Sequence, residues 1–182
     1  MRFLVLTIKS IDTLNEYMGR FISWLTLGTV LTCFLVVILR YIFSMGFVWM
    51  QELYVWQHAV VFMIGAGYTF LHNDHVRVDI FYSPMSQKSR AWTDLFGTLF
   101  FLFPWLGVIF WFGWSFISLS WQLKESSSQA GGLQGFFLLK LVIFIFCILV
   151  GLQGISLFLK SLLIILGFEK YIIKAEEAKP IA

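Results

Sequence analysis

Four long stretches without Asp, Glu, Lys or Arg constrain this chain more than any other feature of its sequence. They are Phe21–Leu39, Leu53–Leu71, Leu95–Leu123 and Leu141–Leu159. At a helical rise of about 1.5 Å per residue, about 19 residues already cover the roughly 30 Å hydrocarbon layer of a bilayer. Backbone groups cannot stay unpaired in lipid, so each stretch is expected to be a helix. The sequence therefore predicts an all-α membrane protein with four transmembrane helices.

The composition agrees with a protein that lies mostly in lipid. Of the 182 residues, 59% are hydrophobic and only 13% are charged, whereas a soluble domain carries roughly 25% charged residues. The net charge of +3 is too small and too dispersed to indicate a nucleic-acid partner. Cys33 and Cys147 each lie inside an apolar run and are expected to be packing residues rather than a disulfide framework.

We expect a single membrane domain over residues 1–182, with spans at about 21–43, 50–71, 92–121 and 136–160. Residues 3–20 form the pattern of an amphipathic helix, expected to lie in the membrane interface. Its apolar positions are Leu4, Ile8, Ile11, Leu14 and Met18, and its polar positions are Lys9, Asp12, Thr13, Glu16 and Arg20. The alternative is that this segment extends the first span into water. The polar leader and the length of the first apolar run predict an uncleaved anchor.

Lysine and arginine predict the orientation. Ten of the thirteen precede the first span, lie between the second and third spans, or follow the fourth. Arg40, Lys124 and Lys140 are on the other side. The positive-inside rule then places both termini, the middle loop and a tail at 161–182 in the cytoplasm.

The middle loop shows an alternating pattern. Polar and apolar residues alternate from His75 to Asp79, which predicts an extended segment with Arg77 and Asp79 on one side. These two could pair with each other, cap helix ends or bind a partner, and we interpret the segment as a structural lock between spans two and three. Ser83 followed by Pro84 is typical of an N-cap and the first helical position.

The third span is expected to begin with a short surface elbow near Pro84–Trp92. Pro104 lies inside the span and should kink it. In the fourth span, Cys147, Gly151, Gly154 and Ser161 recur at helical spacing as a small-residue seam. Such a seam allows close helix packing, either on the other helices of this chain or on another subunit.

No catalytic, metal or cofactor site is indicated. His58 is the one titratable residue within a span other than tyrosine and cysteine, and we expect it to make a single hydrogen bond to a neighbouring helix or a partner. Haem needs two ligands from different helices, but His72 and His75 follow the same span as His58. Arg40 and Glu52 are expected at the periplasmic boundary, paired with each other or with a partner loop, or independent.

Several short elements, in order, resemble a known family. They are Arg40-Tyr41-Ile42-Phe43, Trp49, Glu52, Gly65-Ala66-Gly67, His75-Val76-Arg77-Val78-Asp79 and Pro84. Within a four-span frame these elements resemble the small (DctQ-type) membrane subunit of a tripartite ATP-independent periplasmic (TRAP) transporter. His58 has no counterpart in that pattern.

The resemblance implies a non-catalytic scaffold subunit in the bacterial inner membrane, without a cofactor. Its partners would be a large membrane subunit, which carries substrate and sodium ions by an elevator motion, and a periplasmic binding protein that delivers an organic acid. Residues expected at structural or partner interfaces are Arg40, Trp49, Glu52, His75, Arg77, Asp79, Gly151 and Gly154. The alternative is a membrane anchor or cofactor-bearing subunit of a redox enzyme complex.

Overall fold

The computed structural model describes residues 2–76 and 79–168, and all of its regular structure in these ranges is helical. The helices are α1 (Arg2–Tyr41), α2 (Val48–Leu71), α3 (Asp79–Tyr82), α4 (Gln87–Gly97), α5 (Phe103–Gln122) and α6 (Phe136–Ile165), with a π-helical turn at Thr98–Leu102. The all-α class predicted from the sequence is confirmed. Arg77, Val78 and the tail from residue 169 lie outside the described residues.

Helix α1 runs without interruption for 40 residues. The amphipathic segment at 3–20 is therefore not a separate helix but the first half of the helix that contains the predicted first span. No proline occurs in this stretch, so nothing breaks the backbone hydrogen bonds between the two halves. Ile8 and Ile11 are buried on the protein side of the helix, while Phe3, Leu6 and Leu14 remain exposed.

Three helical stretches are long and apolar enough to cross a membrane: Phe3–Tyr41, Gln87–Gln122 and Phe136–Ile165. Helix α2 has 24 residues, about 36 Å, which also suffices for a span. Its first half contains Gln51, Glu52, Gln57 and His58, so no part of α2 is as apolar as the most apolar part of each of those three stretches. The count of four spans therefore stays a prediction.

The predicted third span is continuous with α4 through the π-helical turn. The Phe103 N–H donates to the Thr98 carbonyl, five residues back, immediately before Pro104. Proline has no N–H to offer the carbonyl one α-helical turn earlier, and a π turn accommodates that loss without ending the helix. The irregularity expected at Pro104 thus takes the form of a π turn on its N-terminal side.

Two details of the middle loop differ from expectation. Helix α4 begins at Gln87, where the Ser86 hydroxyl accepts a 3.3 Å hydrogen bond from the Ser89 N–H. Ser83 and Pro84 lie in the preceding turn, so the N-cap prediction was three residues early. Asp79 is the first residue of α3, so it is helical and not part of an extended segment as predicted. A short helix there lets the backbone satisfy its own hydrogen bonds, which an isolated extended segment cannot do.

Helix α6 lies at the centre and contacts α1, α2, α4 and α5. One buried cluster joins α1, α2 and α6 through Ile22, Ile64, Val142 and Leu149. A second joins α2, α5 and α6 through Ala66, Leu106, Cys147 and Val150. Cys147 is thus the packing residue that was expected, whereas Cys33 is exposed. Below, the "Asp12 end" of the bundle is the one where α1 begins and α6 ends, and the "Glu52 end" is the opposite one.

Candidate functional site: polar clusters at the two ends of the bundle

Polar side chains face one another between α1 and α6 near the Asp12 end. Asp12 and Asn15 are three residues apart on α1, and Gln153, Ser156 and Lys160 follow one another at three and four residues on α6. Residues at these spacings share one face of a helix. The two polar stripes therefore meet inside an otherwise apolar interface and form the "α1–α6 polar cluster".

The carboxylate of Asp12 is the centre of this cluster. Its Oδ2 atom accepts a 2.7 Å bond from the Lys160 ammonium, and its Oδ1 atom accepts a 2.7 Å bond from the Ser156 hydroxyl and a 3.2 Å bond from the Gln153 amide. Asp12 is only 6% exposed. A buried charge is tolerated only with an opposite charge and further hydrogen bonds, and this carboxylate has both.

The cluster continues inward through two amides. Asn15, which is fully buried, donates from Nδ2 to the Gln153 Oε1 atom at 2.9 Å and to the Leu149 carbonyl at 3.4 Å. Its Oδ1 atom lies against Gly67 of α2, where an added Cβ would clash with it. Gly67 thus lets α2 approach close enough to cover the cluster, and the three helices are tied at one level.

A cleft of about 160 Å³ opens beside the cluster. Its lining contains Phe70, Leu71, Asn73, Tyr82, Asp94, Gln153, Leu157 and Lys160. The Tyr82 hydroxyl donates a 2.8 Å hydrogen bond to Asp94. The lining therefore joins α6 to the middle loop and to α4 at this end of the bundle.

A second polar contact at the same end joins α1 to α2. Glu16 lies 2.8 Å from the His72 Nε2 atom and 2.8 Å from the Arg20 guanidinium. The Tyr68 ring lies over His72, with ring centroids 4.4 Å apart, and it fills the space above Gly19. His75 follows, with its Nε2 atom 3.3 Å from the Ala66 carbonyl. The two histidines therefore hold the end of α2, in contacts that the sequence did not predict.

At the opposite end, Glu52 holds the loop between α5 and α6. Its carboxylate accepts a 2.6 Å bond from the Leu133 backbone N–H and a short bond from the Ser127 hydroxyl. Arg40 and Glu52 both lie in the described part of the chain, where Arg40 is exposed and makes no ion pair with Glu52. Glu52 therefore neither pairs with Arg40 nor stays independent. It bonds a loop, and that loop belongs to this chain.

The same loop is held a second time through Lys140. Its ammonium lies 2.5 Å from a Glu125 carboxylate oxygen and 3.9 Å from the centroid of the Phe116 ring. The hydrogen bond from Lys140, with a smaller contribution from Ser120, lowers the pKa of Glu125 below its ordinary value. Lys124 lies 4.8 Å from the Trp121 ring centroid. Lysine thus fastens the loop by charge and by aromatic contact.

The remaining predicted residues lie apart from these clusters. Trp49 is 43% exposed at the Glu52 end. A Cβ added at Gly154 would meet Leu102 at 2.7 Å, and one at Gly151 would meet Leu106 at 3.6 Å, so this side of the seam packs on the π turn and α5. Arg77 lies outside the described residues, and of Asp79 only the backbone, in α3, is described.

The α1–α6 polar cluster is not evident from single segments of the sequence. There, Asp12 is one polar position of an expected interfacial helix, and Lys160 is one of the charges that follow the last apolar stretch. The available signal was the recurrence of Gln153, Ser156 and Lys160 along one face of an apolar helix. Such polar residues need partners in a membrane, so they predict a polar stripe on another helix.

These clusters hold helices and loops together through hydrogen bonds and ion pairs. In the α1–α6 polar cluster both oxygens of Asp12 already accept hydrogen bonds from side chains of this chain. Within residues 2–76 and 79–168, no three histidine, cysteine or acidic side chains come together as metal ligands would. The bonds of the α1–α6 polar cluster hold α1 and α6 together.

One comparison with known proteins is informative. The family model described as "Tripartite ATP-independent periplasmic transporters, DctQ component" matches residues 29–164. The match begins in α1 and ends in α6, so it covers α2 to α5 and most of the bundle. The search of curated proteins and the search of solved structures found no match. The matching family is a transporter component and gives no support to the redox-complex alternative.

Proposed function

This chain belongs to the DctQ component family of the tripartite ATP-independent periplasmic transporters, and we propose that it is the small, non-catalytic scaffold subunit of a sodium-coupled secondary transporter. In this proposal a large membrane subunit carries an organic acid and sodium ions by an elevator motion. A periplasmic binding protein delivers the organic acid. The family match over residues 29–164 is the observation that carries the proposal.

The role of a static scaffold is supported by how α1, α2 and α6 are fastened. Asp12 and Lys160 join α1 to α6, and Glu16 and His72 join α1 to α2 at the same end. Glu52 fastens the α5–α6 loop to α2 at the other end. Helices that are bonded to one another at both ends of the bundle resist sliding. A scaffold subunit needs this resistance because it must stay fixed while its partner moves.

The proposed topology has four spans, with both termini and the middle loop in the cytoplasm. The distribution of lysine and arginine along the chain and the packing of the helices support this topology. The Asp12 end carries Lys9, Arg20, Lys88, Arg90 and Lys160 among the described residues, and the Glu52 end carries Arg40, Lys124 and Lys140. The Asp12 end is therefore proposed to face the cytoplasm. The Glu52 end, including the loop at 123–135, would face the periplasm and offer part of the docking surface for the binding protein.

The proposal is tested by purifying the chain with its partners. An affinity-tagged chain, expressed at its native level, is extracted from bacterial membranes in mild detergent and its partners are identified by mass spectrometry. We expect one much larger multispanning protein at a constant ratio. We also expect deletion of this chain to abolish sodium-dependent uptake of the organic acid that the binding protein recognises. Recovery of a haem or iron–sulfur enzyme, or uptake that is unchanged by the deletion, would refute the scaffold role.

A further inference from the structure

Helix α2 presents one exposed stripe away from the rest of the bundle. Val55, His58 and Phe62 recur at three and four residues, so they share one face. Val55 is 53% exposed, Phe62 is 69% exposed, and His58 is also exposed. These three residues are called the "outer α2 stripe" below.

His58 lies in the middle of α2. It is ten residues after Val48 and thirteen before Leu71, or about 15 Å and 20 Å along the helix axis. The adjacent Gln57 amide faces Gly28 of α1, with its Nε2 atom 3.7 Å from an ideal Cβ there. Gly28 lies within the candidate span Phe3–Tyr41. The proposed four-span topology therefore puts His58 at membrane depth.

The ring of His58 makes no hydrogen bond to any residue that the structure describes. In hydrocarbon its N–H and its bare ring nitrogen would both lack a partner, and a polar group at that depth normally has one. The Oε1 atom of the adjacent Gln57 also has no hydrogen-bond partner among the described residues, but Gln57 faces α1 and is not part of the outer α2 stripe. His58 is thus the polar side chain of this stripe, and it has no hydrogen-bond partner in residues 2–76 and 79–168.

Helix α2 is long enough to span a bilayer but is not among the three stretches that are apolar enough to do so. By contrast, the exposed face of the π turn and α5 is apolar and aromatic, with Phe101 at 78%, Trp111 at 78% and Phe112 at 70% exposure. These aromatic side chains can contact lipid without loss, whereas the His58 ring on the outer α2 stripe needs a polar partner.

We propose that the outer α2 stripe is the surface by which this chain binds the large membrane subunit, with His58 hydrogen-bonded to a polar group of that partner at the same depth. The inference rests on the proposed function, which supplies the partner. It goes further by choosing between the faces of the bundle. Val55 and Phe62 flank His58 by about one turn on each side, so they supply apolar contact that keeps lipid and water from the hydrogen bond.

The test uses a photo-crosslinking amino acid in the intact complex in native membranes. p-Benzoylphenylalanine is placed at Val55 or Phe62 in the outer α2 stripe, and at Phe112 of α5 as a matched exposed control. We expect ultraviolet light to join the chain to the large subunit from the two α2 positions and not from Phe112. His58→Leu is expected to lower the association constant of the complex about threefold to thirtyfold, the range of one interhelical hydrogen bond in a membrane. His58→Gln, which keeps a donor and an acceptor, should recover most of it.

Three results would overturn the proposal, provided that the tagged, unchanged chain still purifies with the large subunit. The first is crosslinking to the large subunit from Phe112 but not from the α2 positions, and the second is crosslinked products that contain only lipid or a second copy of this chain. The third is recovery of the complex with His58→Leu equal to that with the unchanged chain. If the unchanged chain purifies with no such subunit, the proposed function itself has failed, so the two failures are distinguishable.

Discussion

The ammonium of Lys160, near the end of the last described helix, lies 2.7 Å from the carboxylate of Asp12, near the start of the first. The two residues are 148 positions apart in the chain. Their side chains are 18% and 8% exposed respectively, so the ion pair is well shielded from water. It closes the bundle at the Asp12 end and makes the position of α1 depend on α6.

Removing one partner of this pair should destabilise the fold. Asp12→Ala leaves the Lys160 charge, the Ser156 hydroxyl and the Gln153 amide without their acceptor, at an expected cost of about 2–5 kcal/mol. Thermal unfolding in detergent, followed by tryptophan fluorescence, measures the effect. Lys9→Ala, on the exposed side of the same helix turn, is the control and should change little. If Asp12→Ala unfolds at the same temperature as Lys9→Ala, the pair contributes nothing to the bundle.

Gly67 should tolerate a methyl group much less well than Gly65 does. An added Cβ at Gly67 would clash with the fully buried Asn15, whereas at Gly65 the nearest atom, in Ile22, is 3.9 Å away. Overpacking of this kind costs about 1–3 kcal/mol. Gly67→Ala should therefore unfold at a lower denaturant concentration than Gly65→Ala in the same detergent. Equal midpoints would show that the helices separate freely at this level.

Glu52 and Arg40 should act independently. Glu52→Ala removes the acceptor for the Leu133 N–H and the Ser127 hydroxyl, so it should cost about 1.5–3 kcal/mol and speed proteolysis of the loop at 123–135. Arg40→Ala, at an exposed position, should stay within about 0.5 kcal/mol of the unchanged chain. The loss of stability in the double variant should equal the sum of the losses in the two single variants. A difference from that sum clearly above the measurement error would show that Arg40 and Glu52 do pair directly.

The Glu125–Lys140 pair predicts a dependence on pH. Because the pKa of Glu125 is lower in the folded state, the pair contributes stability above the ordinary glutamate pKa of about 4.3. That stability is lost as the pH falls through the lowered folded-state pKa. Glu125→Gln should therefore be less stable than the unchanged chain at neutral pH and should approach it in acid. A stability difference that is constant from pH 7 to pH 3 would contradict the pairing.

The proposed topology predicts opposite locations for two reporter fusions. An alkaline phosphatase fused within Ser126–Gly132 should be active, because that loop is expected in the periplasm. The same enzyme fused after Lys179 should be inactive, and a fluorescent protein at that position should be bright. A periplasmic C-terminus would exclude the charge-based orientation.

Local signals of the sequence were sufficient for the class of fold and for the family. Apolar stretches of spanning length predict helices because lipid leaves the backbone no other partner, and α1, α5 and α6 follow directly from them. The short elements from Arg40 to Pro84 were sufficient to identify the DctQ family, which the match over residues 29–164 confirms. Boundaries were less accurate in the middle loop, because Ser83 and Ser86 are equally good N-caps by residue type and the type alone does not show that Ser86 is the one used.

The sequence by itself determined that this chain is helical, apolar and a member of a transporter family, because these properties depend on composition and on the periodicity of single segments. Only the tertiary structure decided which polar residues meet. Asp12 and Lys160 each looked like interfacial charges, and Glu52 had several possible partners. A hydrogen bond or ion pair depends on the distance between side chains far apart in sequence, and that distance is set by the packing of α1 and α2 on α6.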